Sequence, residues 1–309
     1  MSSERTPEQR HRNVVGIAWM LAAVGVLALM DGTMKALASR YPPFQVAALR
    51  GATSLPVVMI WIAFAGGFRQ VIDVRWGLQI GRGLIGLGML TSFVYALGKL
   101  PLAEAYAIFF VAPLIITALS VPMLGERVDA ARWLAILVGF GGVLVVLRPT
   151  GHGALTLAGL AVLGAALGYA LSAILTRVIA RSDSTLSMIV WFLVPVTVVA
   201  SIVAAPRWVP IARADWWLLA VLGVIGAAGQ YLITEAFRHG EASVLAPFEY
   251  TALAWGLGLD WVFWRATPQL RTLAGGGIVV LAGLYILYRE RHSSRADRHS
   301  SFVADCVPP

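Results

Sequence analysis

Ten stretches of apolar sequence follow one another along this chain, and no polar segment between them is long enough to fold by itself. They cover about 14–36, 44–66, 77–98, 102–124, 131–148, 156–178, 186–205, 216–237, 242–263 and 271–288. A helix needs about 20 apolar residues to cross the roughly 30 Å hydrocarbon core of a bilayer. Each stretch is close to that length, so the pattern predicts an all-α membrane protein of ten transmembrane helices. The connectors carry helix-breaking residues at the expected places, among them Pro42, Pro43, Gly66, Gly67, Pro101, Pro149, Pro206, Gly240 and Pro268.

Charge supports the same solvent. Only 13% of the 309 residues are charged, against about 25% in a soluble domain. The net charge of +8 sits in short connectors and tails, with no basic helix or loop that would lie along a phosphate backbone, so nucleic acid is not an expected partner. Of the 24 Lys and Arg residues, fourteen fall in the two tails and the even-numbered loops, eight in the odd-numbered loops, and Arg50 and Arg82 lie within spans. The positive-inside rule then places both termini in the cytoplasm. The first run, from Val14 to about Ala38, is too long for a signal-peptide core and is read as a retained span. The tails, 1–13 and 290–309, are polar and expected to be disordered. Cys306 is the one cysteine, which rules out an internal disulfide or a cysteine-based zinc site.

The chain repeats itself. Gly16–Gly25 in span 1 and Gly159–Gly168 in span 6 agree at five positions, all offset by 143. Glu104-Ala105 recurs as Glu241-Ala242, and Gly142–Arg148 as Gly283–Arg289, at offsets of 137 and 141. Five spans is an odd number, so the second half must enter the membrane in the opposite sense. The expectation is two inverted five-helix repeats, 14–149 and 155–289, the design of secondary transporters that bind cargo near the midplane.

Ionisable groups at membrane depth cost roughly 2.5–3.5 kcal/mol on insertion scales and by default mark function. Glu249 is the leading candidate: it follows Pro247, whose missing N–H frees a carbonyl four residues earlier. A carboxylate there would meet a cationic cargo or exchange a proton; the plainer reading is a protonated Glu bonded to a neighbouring helix. Tyr231, Thr234 and Glu235 lie at helical i, i+3, i+4 spacing and make a polar face on span 8, unless Glu235 only pairs with Arg238. Arg50 and Arg82 would bind an anionic group of cargo, clamp a carboxylate as a gate, or snorkel to the headgroups. Asp31 and Lys35 are four apart on one helical face and read first as an intrahelical ion pair, with an outer-gate role for Asp31 second. Glu104 opens span 4 and reads as a helix-dipole partner. Tyr106, Tyr169 and Tyr250 are the aromatics best placed to stack on a planar cargo, most others being packing or interface anchors. Pro113 and Pro247 fall in opposite halves and mark expected helix breaks. Gly81, Gly83, Gly86 and Gly88 would let span 3 approach a neighbour closely.

Beyond these patterns, Pro101–Leu114, Leu124-Gly-Glu-Arg127, Arg132-Trp133 with Gly139–Gly142, and Glu241–Thr251 resemble the EamA-type, ten-span branch of the drug/metabolite transporter superfamily. Within it, Asp31–Lys35 before Tyr41-Pro42, with Arg50 and Arg82–Met89, is similar to S-adenosylmethionine uptake carriers of intracellular bacteria. Several polar positions of spans 6 to 9 depart from that group, which leaves riboflavin-like and amino-acid-like cargo open. The resemblance implies a secondary carrier in a bacterial inner membrane. It would move a small organic metabolite by alternating access, among membrane lipids, with a proton or other ion as coupling partner, as a monomer or homodimer. No phosphate-binding loop or metal-ligand cluster is present in the sequence, so neither ATP hydrolysis, a cofactor nor a metal is expected. A lipid or amphiphile flippase or scramblase is the nearest rival; a membrane-embedded enzyme and a receptor or scaffold stand further off.

Overall fold

The computed structural model describes residues 7–65, 71, 74–124, 130–147, 156–179, 182–239, 248–285 and 288, and among them every regular element is helical. The helices are α1 (Pro7–Ala38), α2 (Pro43–Ala65), α3 (Trp76–Leu97), α4 (Leu102–Phe109), α5 (Ala112–Leu124) and α6 (Ala130–Leu147). The second half continues with α7 (Leu157–Ile179), α8 (Thr185–Ala204), α9 (Trp216–His239) and α10 (Ala252–Trp264), then α11 (Leu270–Tyr285). Two short 3-10 turns, Ala205–Arg207 and Arg213–Asp215, fill the connector between α8 and α9.

Local chemistry explains several boundaries. Ser184 caps α8 by accepting from the Ser187 amide at 3.2 Å, and Thr156 does the same for Gly159 ahead of α7 at 3.2 Å. Arg265 closes α10 in the left-handed region, at φ 52°. Span 4 is not one helix: Phe110 and Val111 form a turn between α4 and α5, two residues before Pro113. Pro113 has no N–H for the Phe109 carbonyl, so the ladder is already open there. In the second half a like turn, Tyr250-Thr251, precedes α10. The expected break at Pro247 lies outside the described residues.

Seven segments of the described residues are long and apolar enough to cross a membrane, from Val15–Ala38 to Arg213–Leu232, and Trp133–Val146 and Leu270–Tyr285 are shorter apolar helices. α10 has 13 residues, about 20 Å of helix, and it carries Asp260. The outer surface is apolar: Phe64, Leu270, Leu157 and Leu281 stand largely exposed, as side chains do when lipid covers them. This is a multi-pass, all-helical membrane protein.

Packing follows a regular exchange. α1 runs along α9, and α3 runs along α7; α2 packs on α8, and the α4 segment on α10. Exchanging first-half spans for their second-half counterparts maps each of these pairings onto another or onto itself. Glycine sets the closest approaches. A Cβ on Gly83 would lie 2.7 Å from Pro195 and 2.9 Å from the Trp191 carbonyl, and one on Gly86 would enter the Phe192 ring. In the other half, a Cβ on Gly223 would lie 2.7 Å from the Thr53 carbonyl and one on Gly226 2.7 Å from Ser54 Oγ. The two pairs are 140 residues apart in the sequence. Gly81 and Gly88, expected to share the role, have nothing within 4 Å.

Candidate functional site

The interrupted helices bring their turns together. The ring of Phe110 meets that of Tyr250 edge-on at 5.1 Å, so the break of span 4 lies against the break ahead of α10. Around this contact the aromatics form one connected group. Tyr106 stacks on Phe110 and on Phe93, each at 6.4 Å; Phe93 meets Phe109 at 5.4 Å; and Phe109 meets Tyr169 at 5.4 Å. Tyr106 and Tyr250 are buried, at 5% and 9% exposure, so the group is interior and not an interface belt.

Carboxylates lie at both ends of it. The Tyr106 hydroxyl donates to Asp31 Oδ2 at 2.8 Å, and Asp31 is charge-coupled to Arg50 on α2. Glu249 is within electrostatic reach of Tyr169 and Tyr250. The Tyr250 hydroxyl is buried with no hydrogen-bond partner among the described residues. It packs against Gly283 on α11, where an added Cβ would collide with it. Asp31, Arg50, Tyr106, Tyr169, Glu249 and Tyr250 thus come together as one polar-aromatic centre.

Other expected residues lie elsewhere. Tyr231 is 36% exposed and sits edge-on between Trp61 at 4.9 Å and Trp19 at 6.2 Å, away from the centre. Glu235, one turn on, is buried; the side chains of Thr234 and of Arg238, its alternative partner, lie outside the described residues. Arg82 donates to the Met188 carbonyl of α8 at 2.9 Å and lies over the Phe192 ring at 5.5 Å. Among the described residues its guanidinium is held by that carbonyl and that ring face.

The intrahelical pair of Asp31 with Lys35 does not form. Lys35 Nζ reaches Asp260 Oδ1 on α10 at 2.7 Å and lies 4.6 Å from the centre of the Trp264 ring. Both members are buried, and Asp31 has its own partners on other helices. Asp260 Oδ2 also accepts the Ala103 amide at 2.9 Å. The carboxylate that receives the head of α4 therefore comes from across the bundle, while Glu104 stands in the first turn of that helix.

Sequence reasoning missed two further polar clusters, one at each end of the α2–α8 pair. At one end, Tyr41 donates to Asp215 Oδ2 at 2.6 Å and accepts the Ala212 amide at 3.0 Å, while Arg40 pairs with Asp215 Oδ1. Gln45 grips Val209 in both directions, donating to its carbonyl at 2.7 Å and accepting from its amide at 2.9 Å. The bond to Asp215, with burial, holds the Tyr41 phenol above its ordinary range, so it stays a donor. At the other end, Asp183 Oδ2 accepts from Gln79 Nε2 at 2.8 Å and from the Arg75 amide at 3.2 Å, and Oδ1 accepts from Ser182 at 2.6 Å. Burial opposes the charged Asp183, but these bonds outweigh it and hold the carboxyl below its ordinary value. Stability from that group is present above the unfolded carboxylate pKa and lost as the pH falls through the depressed one. Acidification should therefore lower the melting temperature in detergent, and the Asp183→Asn variant should show less of that acid-dependent loss than the parent; an equal loss in both would exclude this group as its source. A signal existed for both clusters: Arg40 and Asp183 are 143 apart and Arg75 and Asp215 are 140 apart, the offsets of the repeat.

Residues 14–148 and 156–289 each match the model of the EamA-like transporter family. The chain belongs to that family. This EamA protein is 27% identical over 274 residues to the pseudopaline exporter CntI of Pseudomonas aeruginosa, covering 86% of this chain and 94% of the relative. It is 27% identical to a riboflavin transporter of Vibrio cholerae over 294 residues, 94% of this chain and 98% of that one. An S-adenosylmethionine uptake transporter of Rickettsia prowazekii is 28% identical over 286 residues, with 93% and 96% covered. A solved crystal structure, described only as that of a protein, superposes over 90% of this chain and 99% of its own with a TM-score of 0.65 and 20% identity, and so shares the fold. Family and relatives identify a transporter of small metabolites, not an enzyme.

Proposed function

We propose that this EamA protein is a secondary carrier that moves one small organic metabolite by alternating access. Ten transmembrane helices form two inverted five-helix repeats, 14–149 and 155–289, between cytoplasmic tails 1–13 and 290–309, in a bacterial inner membrane. The observation that carries this reading is the meeting of two interrupted helices, one from each half, at a buried aromatic group with a carboxylate at each end. Broken helices at corresponding positions of two repeats are where such carriers bind cargo. The two family matches support the duplication, and the named cargoes of the relatives support a metabolite of comparable size: S-adenosylmethionine-like, riboflavin-like or amino-acid-like. Aromatic faces would hold a planar portion of it, Glu249 a cationic group or a proton, and the Asp31–Arg50 pair a zwitterionic end.

Purified protein in liposomes, offered radiolabelled S-adenosylmethionine, riboflavin and aromatic amino acids, tests this. Uptake of one of them should saturate, and Glu249→Gln should lower it at least about tenfold while the variant still elutes as folded protein in detergent. Unchanged transport by Glu249→Gln removes that residue from the mechanism. Exchange of labelled lipid between leaflets without uptake of any metabolite would replace the carrier by a flippase or scramblase.

A further inference from the structure

We infer that Asp215 and Asp183 are gating carboxylates, the centres of two latches that close opposite faces of the protein and open in turn. The inference rests on the alternating-access reading above and adds residues that reading does not use. α2 begins beside the Asp215 cluster and ends short of the head of α3, where the Asp183 cluster lies; α8 runs back from Asp183 to the connector that holds Asp215. Twenty-three residues of α2 span about 35 Å, so the clusters stand a membrane thickness apart.

Each latch ties one half of the chain to the other. The Asp215 carboxylate, at the head of α9, is held by Arg40 and Tyr41 from the corner between α1 and α2. The Asp183 carboxylate, at the corner between α7 and α8, is held by Gln79 and the Arg75 amide at the head of α3. In terms of the repeat these are the same two sites with their charges exchanged: Arg40 corresponds to Asp183, and Asp215 to Arg75. Rocking of one half against the other must break the contact at the face that opens and keep its counterpart at the face that closes.

Burial makes the contact a switch. Asp215 is 1% exposed and Asp183 8% exposed. A carboxylate that dry cannot leave its donors without water taking their place. Breaking a latch and wetting its face are therefore one event. The Asp215 latch includes a guanidinium, from Arg40, whereas the hydrogen-bond donors to Asp183 are uncharged.

The test is accessibility, read without any cargo. In a Cys306→Ser background, Leu49→Cys reports from α2 just behind the Asp215 latch, and Val190→Cys from α8 just behind the Asp183 latch; both side chains are buried, at 6% and 4% exposure. Proteoliposomes are treated with a membrane-impermeant thiol reagent. Asp215→Asn should raise labelling at position 49 about tenfold and lower it at 190; Asp183→Asn should do the reverse. Tyr41→Phe, which removes one hydroxyl, should act as Asp215→Asn does but less, and serves if the asparagine variant does not fold. The exchange of Arg40→Asp with Asp215→Arg should return labelling toward the parent. Shifts of both reporters in one direction, or none in the folded Tyr41→Phe protein, overturn the latches. Labelling of both parent reporters from the same face overturns the carrier reading itself.

Discussion

Replacing Asp260 by alanine should remove most of the folded protein recovered in detergent. Lys35 would then keep a buried ammonium with no counter-charge, since the pair is 9% and 3% exposed. Truncating one member of a buried pair costs about 3–5 kcal/mol, a large share of a typical stability of about 5–15 kcal/mol. The Ala103 amide at the head of α4 would lose its acceptor as well. The double variant Lys35→Met with Asp260→Leu removes both charges and fills similar volume, and should recover much of the lost stability. Thermal unfolding of the parent, the single and the double variants decides between this and a surface pair. If Asp260→Ala melts within a degree or two of the parent, the pair is not buried in the way its geometry implies. Transport by a stable double variant would then show whether the pair does more than hold α1, α4 and α10 together.

That ion pair also marks how far sequence reasoning reaches. Lipid as the solvent and helix as the element were readable from the length of the apolar runs, because a bilayer sets one length and water sets none. The offsets of Gly16 with Gly159 and Gly142 with Gly283 pointed to a repeat, and the family model matches twice, at 14–148 and 156–289. Partners were not. Spacing of i and i+4 puts Asp31 and Lys35 within reach of each other, and in an isolated helix that would decide the matter. In a bundle each charge gains more from a fully desolvated partner on another helix, so Lys35 turns to Asp260 and Asp31 to Tyr106. The head of α4 shows the same: a carboxylate from α10 accepts the Ala103 amide, while Glu104 stands in the first turn, where its charge suits the helix dipole. Tyr231 shows the converse limit, since a polar stripe on a helix does not say whether it faces the interior or the surrounding lipid. Of the candidate centre, Arg50, Tyr106, Tyr169 and Tyr250 were named from depth and residue type, Glu249 also from its place after Pro247, and Asp31 first as the partner of Lys35 and second as a gate. That Phe110 and Tyr250 touch required the fold.

Introducing leucine at Gly223 should be as damaging as the loss of Asp260, and introducing it at Gly81 should not. The two positions look alike in sequence, each a glycine in a glycine-rich apolar run. They differ in what stands opposite. At Gly223 a Cβ would sit 2.7 Å from the Thr53 carbonyl and 3.0 Å from the carbon it belongs to, and backbone cannot swing aside as a side chain does. Overpacking a dense interior costs about 1–3 kcal/mol for a few extra methylenes. A whole isobutyl group against a helix backbone must force α9 from α2, so loss of the folded species is the expected result. At Gly81 nothing lies within 4 Å, and leucine there would face open space at little cost. Gly83, which meets the Trp191 carbonyl at 2.9 Å in the corresponding place, should behave as Gly223 does. Melting curves of Gly223→Leu, Gly83→Leu and Gly81→Leu side by side make the comparison. Equal tolerance at all three would mean that α2 and α8 do not lie against α9 and α3 through these glycines.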